Sequence, residues 1–147
     1  MSKNRLSPAD EPFLFIRTLA SSFESGHRLH KHQHEWHQLI YAVSGVMTVW
    51  TEEGSWVAPP HWAIWVPAGV QHSISFSGVT ALRTLYVRPT WRRALRRACG
   101  VVTVSPLLRE LIVKAIDLNM LDRRDATHRA RISSARSRAV RSPAAVE

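Results

Sequence analysis

The sequence predicts a mainly β domain, either a sandwich or a barrel, followed by a single C-terminal α-helix. Strand-like segments follow one another from residue 28 to residue 88, Gly and Pro residues separate them, and no helical pattern intervenes. After residue 105 the apolar residues change to the spacing of a helix. The 147 residues are enough for one domain with a hydrophobic core.

The predicted elements begin after residues 1–11, whose polar composition we interpret as a disordered leader. Residues 12–104 are assigned to the β domain, which turn signals such as Ser44-Gly45 and Gly78 divide into short segments. Strands are predicted at residues 13–16, 38–43, 46–51, 55–58, 62–66, 72–76, 79–87 and 101–104.

The predicted helix covers residues 105–121. Ser105 suits the N-cap position and Pro106 the first helical position. The apolar face consists of Leu108, Leu111, Ile112, Ala115 and Ile116. Two interpretations are open: this face packs on the chain's own β domain, or it forms a dimerisation helix.

The formal net charge of +9 is concentrated at the C-terminal end. Residues 1–90 contain 7 Lys/Arg and 6 Asp/Glu, a net charge of +1, whereas residues 91–147 contain 13 and 5, a net charge of +8. Residues 122–147 are rich in Arg, Ala and Ser, so we interpret them as a basic disordered tail. Contact of this tail with DNA phosphates would be weak, non-specific and strongly salt-dependent.

A single cysteine, Cys99, excludes an intramolecular disulfide and a cysteine-based zinc cluster. Its basic surroundings could lower its pKa, and a plain unreactive thiol is the alternative. The sequence contains neither a signal-peptide core nor an apolar run long enough to cross a membrane. We therefore expect a cytoplasmic protein without membrane contact.

Histidines are concentrated in residues 30–38. His30, His32 and His34 alternate with other residues, so an extended strand would place their imidazoles on one face. His72 follows a Pro-Ala-Gly turn and can face them from a neighbouring strand. Imidazole is a common ligand for zinc, iron and nickel, so the pattern indicates either a metal site or a polar, pH-responsive interior in which the imidazoles are hydrogen-bonded to Gln38 and water.

The same alternation places His27, Glu35 and His37 on the opposite, exposed face of the strand, and His61 falls at a surface turn. Six tryptophans are many for this length, and most are expected in the core or the wall of the β domain. The candidates for an aromatic effector pocket are His30, Tyr41, Trp50 and Trp65.

Two segments resemble the paired motifs of the cupin superfamily. The first is His32-x-His34 with Gln38 and Gly45, and the second is Pro67-x-Gly69-x-x-His72. The resemblance implies a cupin-like β-barrel, also called a double-stranded β-helix, that can bind one divalent metal: zinc, iron or nickel. The implied ligands are His32, His34 and His72, with Gln38 as a weak fourth donor at the usual position of a glutamate.

Residues 36–46, 59–72 and 105–112 are also similar to the sensor half of AraC-type transcriptional regulators. This resemblance implies a small-molecule effector and a homodimer. In that family DNA is bound by a separate C-terminal helix-turn-helix domain, which is missing here, so we expect a chain truncated before that domain, with a frame-shifted tail. The alternative is a stand-alone metal-dependent cupin enzyme of the isomerase or dioxygenase type.

Overall fold

Eight strands and one helix form the part of the chain that the computed structural model describes, which is residues 8, 12–90, 97–122, 124–127 and 129–130. In chain order they are β1 (Leu14–Phe23), β2 (Arg28–His32), β3 (His37–Thr51), β4 (Gly54–Ala58), β5 (Trp62–Val66), β6 (His72–Val87), β7 (Gly100–Thr103), α1 (Pro106–Leu118) and β8 (Met120–Asp122). All pairings among these strands are antiparallel.

Two long central strands, β3 and β6, pair along most of their length and hold the barrel together. The first half of β3 and the second half of β6 belong to a sheet with the order β7-β5-β3-β6-β1-β8. The second half of β3 pairs with β4, and the first half of β6 pairs with β2. The mainly β class with one C-terminal helix is therefore confirmed.

Gly45 and Gly78 bend these two strands where the sequence predicted that strands end. Both glycines have positive φ values, 77° and 75°, and the β3–β6 register shifts beside Ser44. The predicted pairs of strands at 38–43 and 46–51, and at 72–76 and 79–87, are each one continuous strand. A glycine with positive φ lets a strand change direction while it stays paired with its neighbouring strand, because no Cβ clashes with the backbone.

The interior of the barrel is an apolar cluster with members from both halves of β3 and β6. Ile40 and Met47 come from β3, Ile74 and Phe76 from β6, and all four are buried. Since one set of side chains fills the space between both halves, the two halves enclose a common core.

A second apolar cluster lies on the outer face of the larger sheet, against the helix. Leu39 and Tyr41 of β3 point to this side and contribute to the cluster, whereas Ile40 and Ala42 belong to the interior. The first half of β3 is thus buried on both faces, which explains its continuous apolar run.

The helix begins as expected: the Ser105 hydroxyl accepts a hydrogen bond from the Leu108 amide at 3.2 Å. It ends at Leu118, earlier than the predicted residue 121, because Asn119 adopts the left-handed conformation with φ 64°. The chain then forms β8, which pairs with β1.

The predicted dimerisation face of the helix packs on the chain's own sheet. Its members Leu108, Ile112 and Ala115 are buried in the outer cluster, and Ile116 packs against it partly buried, while Leu111 is half-buried. The interpretation of Leu108, Ile112 and Ala115 as partner-facing residues is therefore wrong. Burying these apolar side chains against the chain's own core is more favourable than leaving them exposed to water.

The buried Arg88 guanidinium ties the N-terminal segment to the barrel. Its Nη1 donates to the Pro8 carbonyl oxygen at 2.8 Å and its Nε to that of Leu14 at 2.6 Å. Its carbon lies 5.3 Å from the centroid of the Trp36 ring. Apart from Pro8, the expected disordered leader at residues 1–11 lies outside the described residues.

Within the expected disordered tail, the described residues 124–127 and 129–130 include helical positions, and the Arg129 amide donates to the Asp125 carbonyl oxygen at 3.0 Å. The interpretation of residues 122–147 as a disordered tail stays a prediction. Residues 123, 128 and 131–147 of the tail lie outside the described part.

Candidate metal and effector site

Three histidines meet at one end of the barrel interior. His32 ends β2, His34 lies in the following loop, and His72 begins β6. Their possible ligand nitrogens all lie within 4.8 Å of one another. The ring centroids are 4.4 Å apart for His32 and His72, and 4.8 Å apart for His32 and His34. A single ion of ordinary size could contact all three rings after small side-chain adjustments.

Backbone pairing brings these histidines together. His32 and His72 face each other in the antiparallel register of β2 and β6. The Gly69 amide, in the turn before β6, donates to the His34 carbonyl oxygen at 2.8 Å. This hydrogen bond ties the loop of His34 to the turn that leads to His72.

Hydrogen bonds fix which nitrogen of two rings carries the proton. Nδ1 of His32 lies 2.6 Å from the His30 carbonyl oxygen, and Nδ1 of His72 lies 2.9 Å from that of Val70. A carbonyl oxygen only accepts, so each Nδ1 must donate and each neutral ring keeps its lone pair on Nε2. Metal-binding histidines commonly have this arrangement.

Burial lowers the pKa of His72 to about 4, and the neighbouring His32 adds to that shift while the hydrogen bond to Val70 opposes it. The ring is therefore neutral at physiological pH. A neutral imidazole binds metal and a protonated one does not, so the environment keeps His72 in its ligating form.

Gln38 is 3% exposed and lies on the interior face of β3. Its Nε2 donates to the Tyr86 hydroxyl at 3.4 Å, which leaves Oε1 buried without a hydrogen-bond partner in the described part of the chain. The Tyr86 ring lies 5.3 Å from the ring of His34. The amide oxygen of Gln38 thus lines the same cavity as His32 and His34 and is a candidate fourth donor.

A cavity of about 1010 Å³ opens over this group. Its polar lining includes His32 and His34 with Gln38, Thr84 and Tyr86, and His72 lies against these two histidines. The apolar lining residues are Leu19, Phe23, Leu29, Trp36, Ile74 and Leu82. A volume of this size and mixed lining can hold a small organic molecule.

The simple alternation predicted for His30, His32 and His34 is wrong for His30. The β2–β6 register shifts between Leu29 and His32, so these two residues are half-buried while His30 between them is exposed. An irregularity of this kind adds a residue to one strand and breaks the period of two. His30 still lines the outer part of the cavity.

Three predicted pocket residues lie elsewhere. Tyr41 and Trp65 are buried in the outer cluster under the helix, and Trp50 is 47% exposed with its Nε1 donating to the Ser75 hydroxyl. None of the three is among the described residues that line the cavity. The faces of Tyr41 and Trp65 could not be assigned from the sequence, because strands buried on both sides lack alternation.

The histidines predicted to be exposed have different outcomes. His27 and His61 are exposed as expected, although His27 also lines the cavity. His37 is half-buried, its Nδ1 accepts from the Ala68 amide at 2.9 Å, and burial lowers its pKa against the opposing hydrogen bond to the Pro89 backbone. His37 therefore holds the turn before β6 in place. Glu35 is exposed but lines the cavity, because residues 33–36 do not continue the strand.

Sequence reasoning missed Thr84 and Tyr86. A signal was present: in β6 the residues His72, Ile74, Leu82, Thr84 and Tyr86 all have even numbers and share the interior face. The predicted break at Gly78 concealed this period, because it separated His72 from the second half of the strand.

Cys99 is expected to be a slow nucleophile. Burial raises the pKa of its thiol to about 11, and the Glu53 carboxylate adds to that shift. The thiolate fraction at pH 8 is then roughly two orders of magnitude below that of an ordinary cysteine. Alkylation by iodoacetamide, followed by mass spectrometry, should be slower than that of glutathione by about this factor and should accelerate up to pH 11. A rate equal to that of glutathione would show an activated thiol.

Comparison with known proteins identifies a related regulator, similar solved structures and a matching domain family. A regulator described as HTH-type transcriptional regulator NimR, from Escherichia coli (strain K12), is 38% identical over 82 residues. The match covers 56% of this chain, and the chain spans 30% of the length of that regulator. In the described part, no helix is both long and apolar enough to cross a membrane.

Two solved structures are similar at 16% identity, each with a TM-score of 0.48. A protein of unknown function from Streptococcus pyogenes matches over 51% of this chain and 66% of its own. A cupin superfamily protein from Desulfitobacterium hafniense matches over 50% and 68%, respectively. Residues 19–143 match the family model of the AraC-like ligand binding domain. The chain therefore belongs to that family, and this agrees with the cupin-like barrel and the AraC-type regulator expected from the sequence.

Proposed function

We propose that this chain senses a small-molecule effector for an AraC-type transcriptional regulator, and that a divalent metal on His32, His34 and His72 forms part of the effector site. The convergence of three imidazoles, two of which line one cavity, carries the proposal. When bound, the metal supplies an open coordination position for a donor atom of the effector.

The donor set fits zinc, iron or nickel better than calcium or magnesium. Three imidazole nitrogens suit the first group of ions, whereas the second group prefers sets of oxygen ligands. Gln38 would add a neutral amide oxygen, so no protein ligand would offset the charge of the ion. A site of this kind favours an exchangeable ligand with an anionic donor atom, which suits a sensor.

Zinc binding is the first test. Protein prepared without a histidine tag should bind about one equivalent of zinc, and zinc at 100 times its Kd should stabilise the fold by about 2.7 kcal/mol. His72→Ala and, separately, His32→Ala should each lower zinc affinity by at least about 100-fold, because each removes a direct ligand. Isothermal titration calorimetry and metal analysis measure both effects.

His30→Ala is the matched control, since His30 is an exposed histidine of the same strand. It should keep one equivalent of zinc with nearly unchanged affinity. Circular dichroism should show that each variant is folded, and the separate His32 variant covers the case in which His72→Ala does not fold. Unchanged zinc binding in both ligand variants would contradict the metal site.

One observation favours the alternative of a metal-dependent cupin enzyme. Glu35, expected on the opposite face, lines the cavity beside the histidines. A carboxylate at that place could accept a proton from a bound substrate. Metal-dependent turnover that is lost in Glu35→Gln would support the enzyme, whereas ligand binding without turnover would support the sensor.

Homodimerisation, implied by the family, stays a prediction. The helix could reach a partner only through residues other than Leu108, Ile112 and Ala115, which are buried in the chain's own core. Specific DNA reading would belong to the helix-turn-helix part of a full regulator. Sedimentation at several protein concentrations would test whether this chain dimerises.

A further inference from the structure

We propose that the Thr84 hydroxyl determines effector specificity by accepting a hydrogen bond from an N–H or O–H group of the effector. The proposal rests on the proposed function and names the chemical class of its ligand. Thr84 lies on the interior face of β6, two residues from Tyr86, and lines the cavity. Across the strand pair it faces Ile40, two residues from Gln38.

The Thr84 side chain is fully buried, and its Oγ1 has no hydrogen-bond partner in the part of the chain that the structure describes. Another buried threonine of the same strand, Thr80, donates its hydroxyl to the Gly78 carbonyl oxygen at 3.1 Å. A buried hydroxyl without a partner destabilises a fold, and valine would fill the same volume without that cost. Because Thr84 lines the same cavity as His32 and His34, we assign the effector as its partner.

The other lining residues define the class of that effector. Among the described residues that line the cavity, formal charges are confined to Lys31 and Glu35, both exposed. Lys31 is also paired with Glu52 at 3.4 Å. The buried part of the described lining therefore contains no formally charged side chain, so an anionic donor atom of the effector would bind the metal. The apolar lining, with Phe23 stacked on Phe76 at 4.4 Å, suits an aromatic body.

These features together describe a small aromatic molecule with an anionic metal-binding oxygen and a neighbouring N–H or O–H donor. Benzohydroxamate is a probe of this class, because its two oxygens chelate a metal and its nitrogen carries a hydrogen. N-methylbenzohydroxamate keeps the chelating oxygens and the ring but lacks that hydrogen. The pair therefore isolates the proposed hydrogen bond.

The experiment measures both probes by isothermal titration calorimetry against the zinc-loaded full chain. The natural sequence should bind benzohydroxamate roughly tenfold more tightly than its N-methyl analogue, the usual effect of one buried hydrogen bond. Thr84→Val should reduce this preference to within about twofold, and Thr80→Val should leave it unchanged. Thr84→Val should also raise the Tm of the zinc-free, ligand-free protein by about 4 °C, since a purely structural hydroxyl would lower it on removal.

A preference that persists in Thr84→Val, or a natural sequence that binds both probes equally or neither of them, would overturn the proposal. If zinc still binds at one equivalent in that case, only the proposed Thr84 hydrogen bond is refuted, and the proposed metal-based sensor function is retained. If zinc does not bind at all, both the contact and the proposed function fail.

Discussion

Replacing Gly45 with alanine is expected to lower the free energy of unfolding by about 3 kcal/mol, because two penalties add. The φ angle of Gly45 is 77°, in the left-handed region that disfavours a residue with a Cβ. The added Cβ would also press on the Thr80 hydroxyl and lie 2.8 Å from the Val79 carbonyl oxygen. Guanidinium denaturation followed by circular dichroism would measure the loss.

Gly78→Ala is the matched control at the corresponding bend of β6. Its φ angle is 75°, but among the described residues an added Cβ would meet only the Gly45 Cα, at 4.0 Å. The conformational penalty alone should apply, about 1 kcal/mol. Equal losses at the two positions would contradict the close approach of β3 and β6 beside Thr80.

The turn signals at these glycines illustrate what the sequence could not decide. Ser44-Gly45 and Gly78 were predicted to end strands, whereas the structure places bends of continuous strands there. Whether a glycine ends a strand or bends it depends on the partner strand. Here Ser44 pairs with Ala81 and Val46 with Ser77, so both strands bend at the same level and the ladder continues. That register is determined by the tertiary structure, and the local sequence at the glycines does not indicate it.

The site was predictable to the extent that it follows sequence motifs. His32, His34 and His72 lie together because a short strand and a Pro-Gly turn position them, and both features are visible in the sequence. His30 was misplaced because a register shift is invisible in the strand itself. Thr84 required the face of β6 to be known along its full length.

Metal binding at this site would also explain the buried polar groups that the fold tolerates. The Nε2 atom of His72 and the Oε1 atom of Gln38 are buried without hydrogen-bond partners among the described residues. Each such group weakens the fold unless something binds it. One ion contacting both would remove two of these costs at once, which is why its removal should reduce stability as well as ligand binding.

Replacing Ile112 with alanine is expected to cost about 3 kcal/mol of folding free energy. Ile112 is 1% exposed and packs in the outer cluster with Tyr41 and Trp65. Shortening it leaves a cavity between helix and sheet that neighbouring side chains fill only in part. Zinc affinity of the folded protein should change little, because the helix covers the outer face of the sheet and the histidines lie on the inner side. Chemical denaturation and zinc titration measure the two quantities separately.

Leu107→Ala on the same helix is the control. Leu107 is 42% exposed, so its truncation should change stability by less than about 0.5 kcal/mol. Similar small effects at both positions would mean that the apolar face of the helix is not held by the sheet. That face would then be open to a second copy of the chain, and the dimerisation interpretation of Leu108, Ile112 and Ala115 would have to be restored.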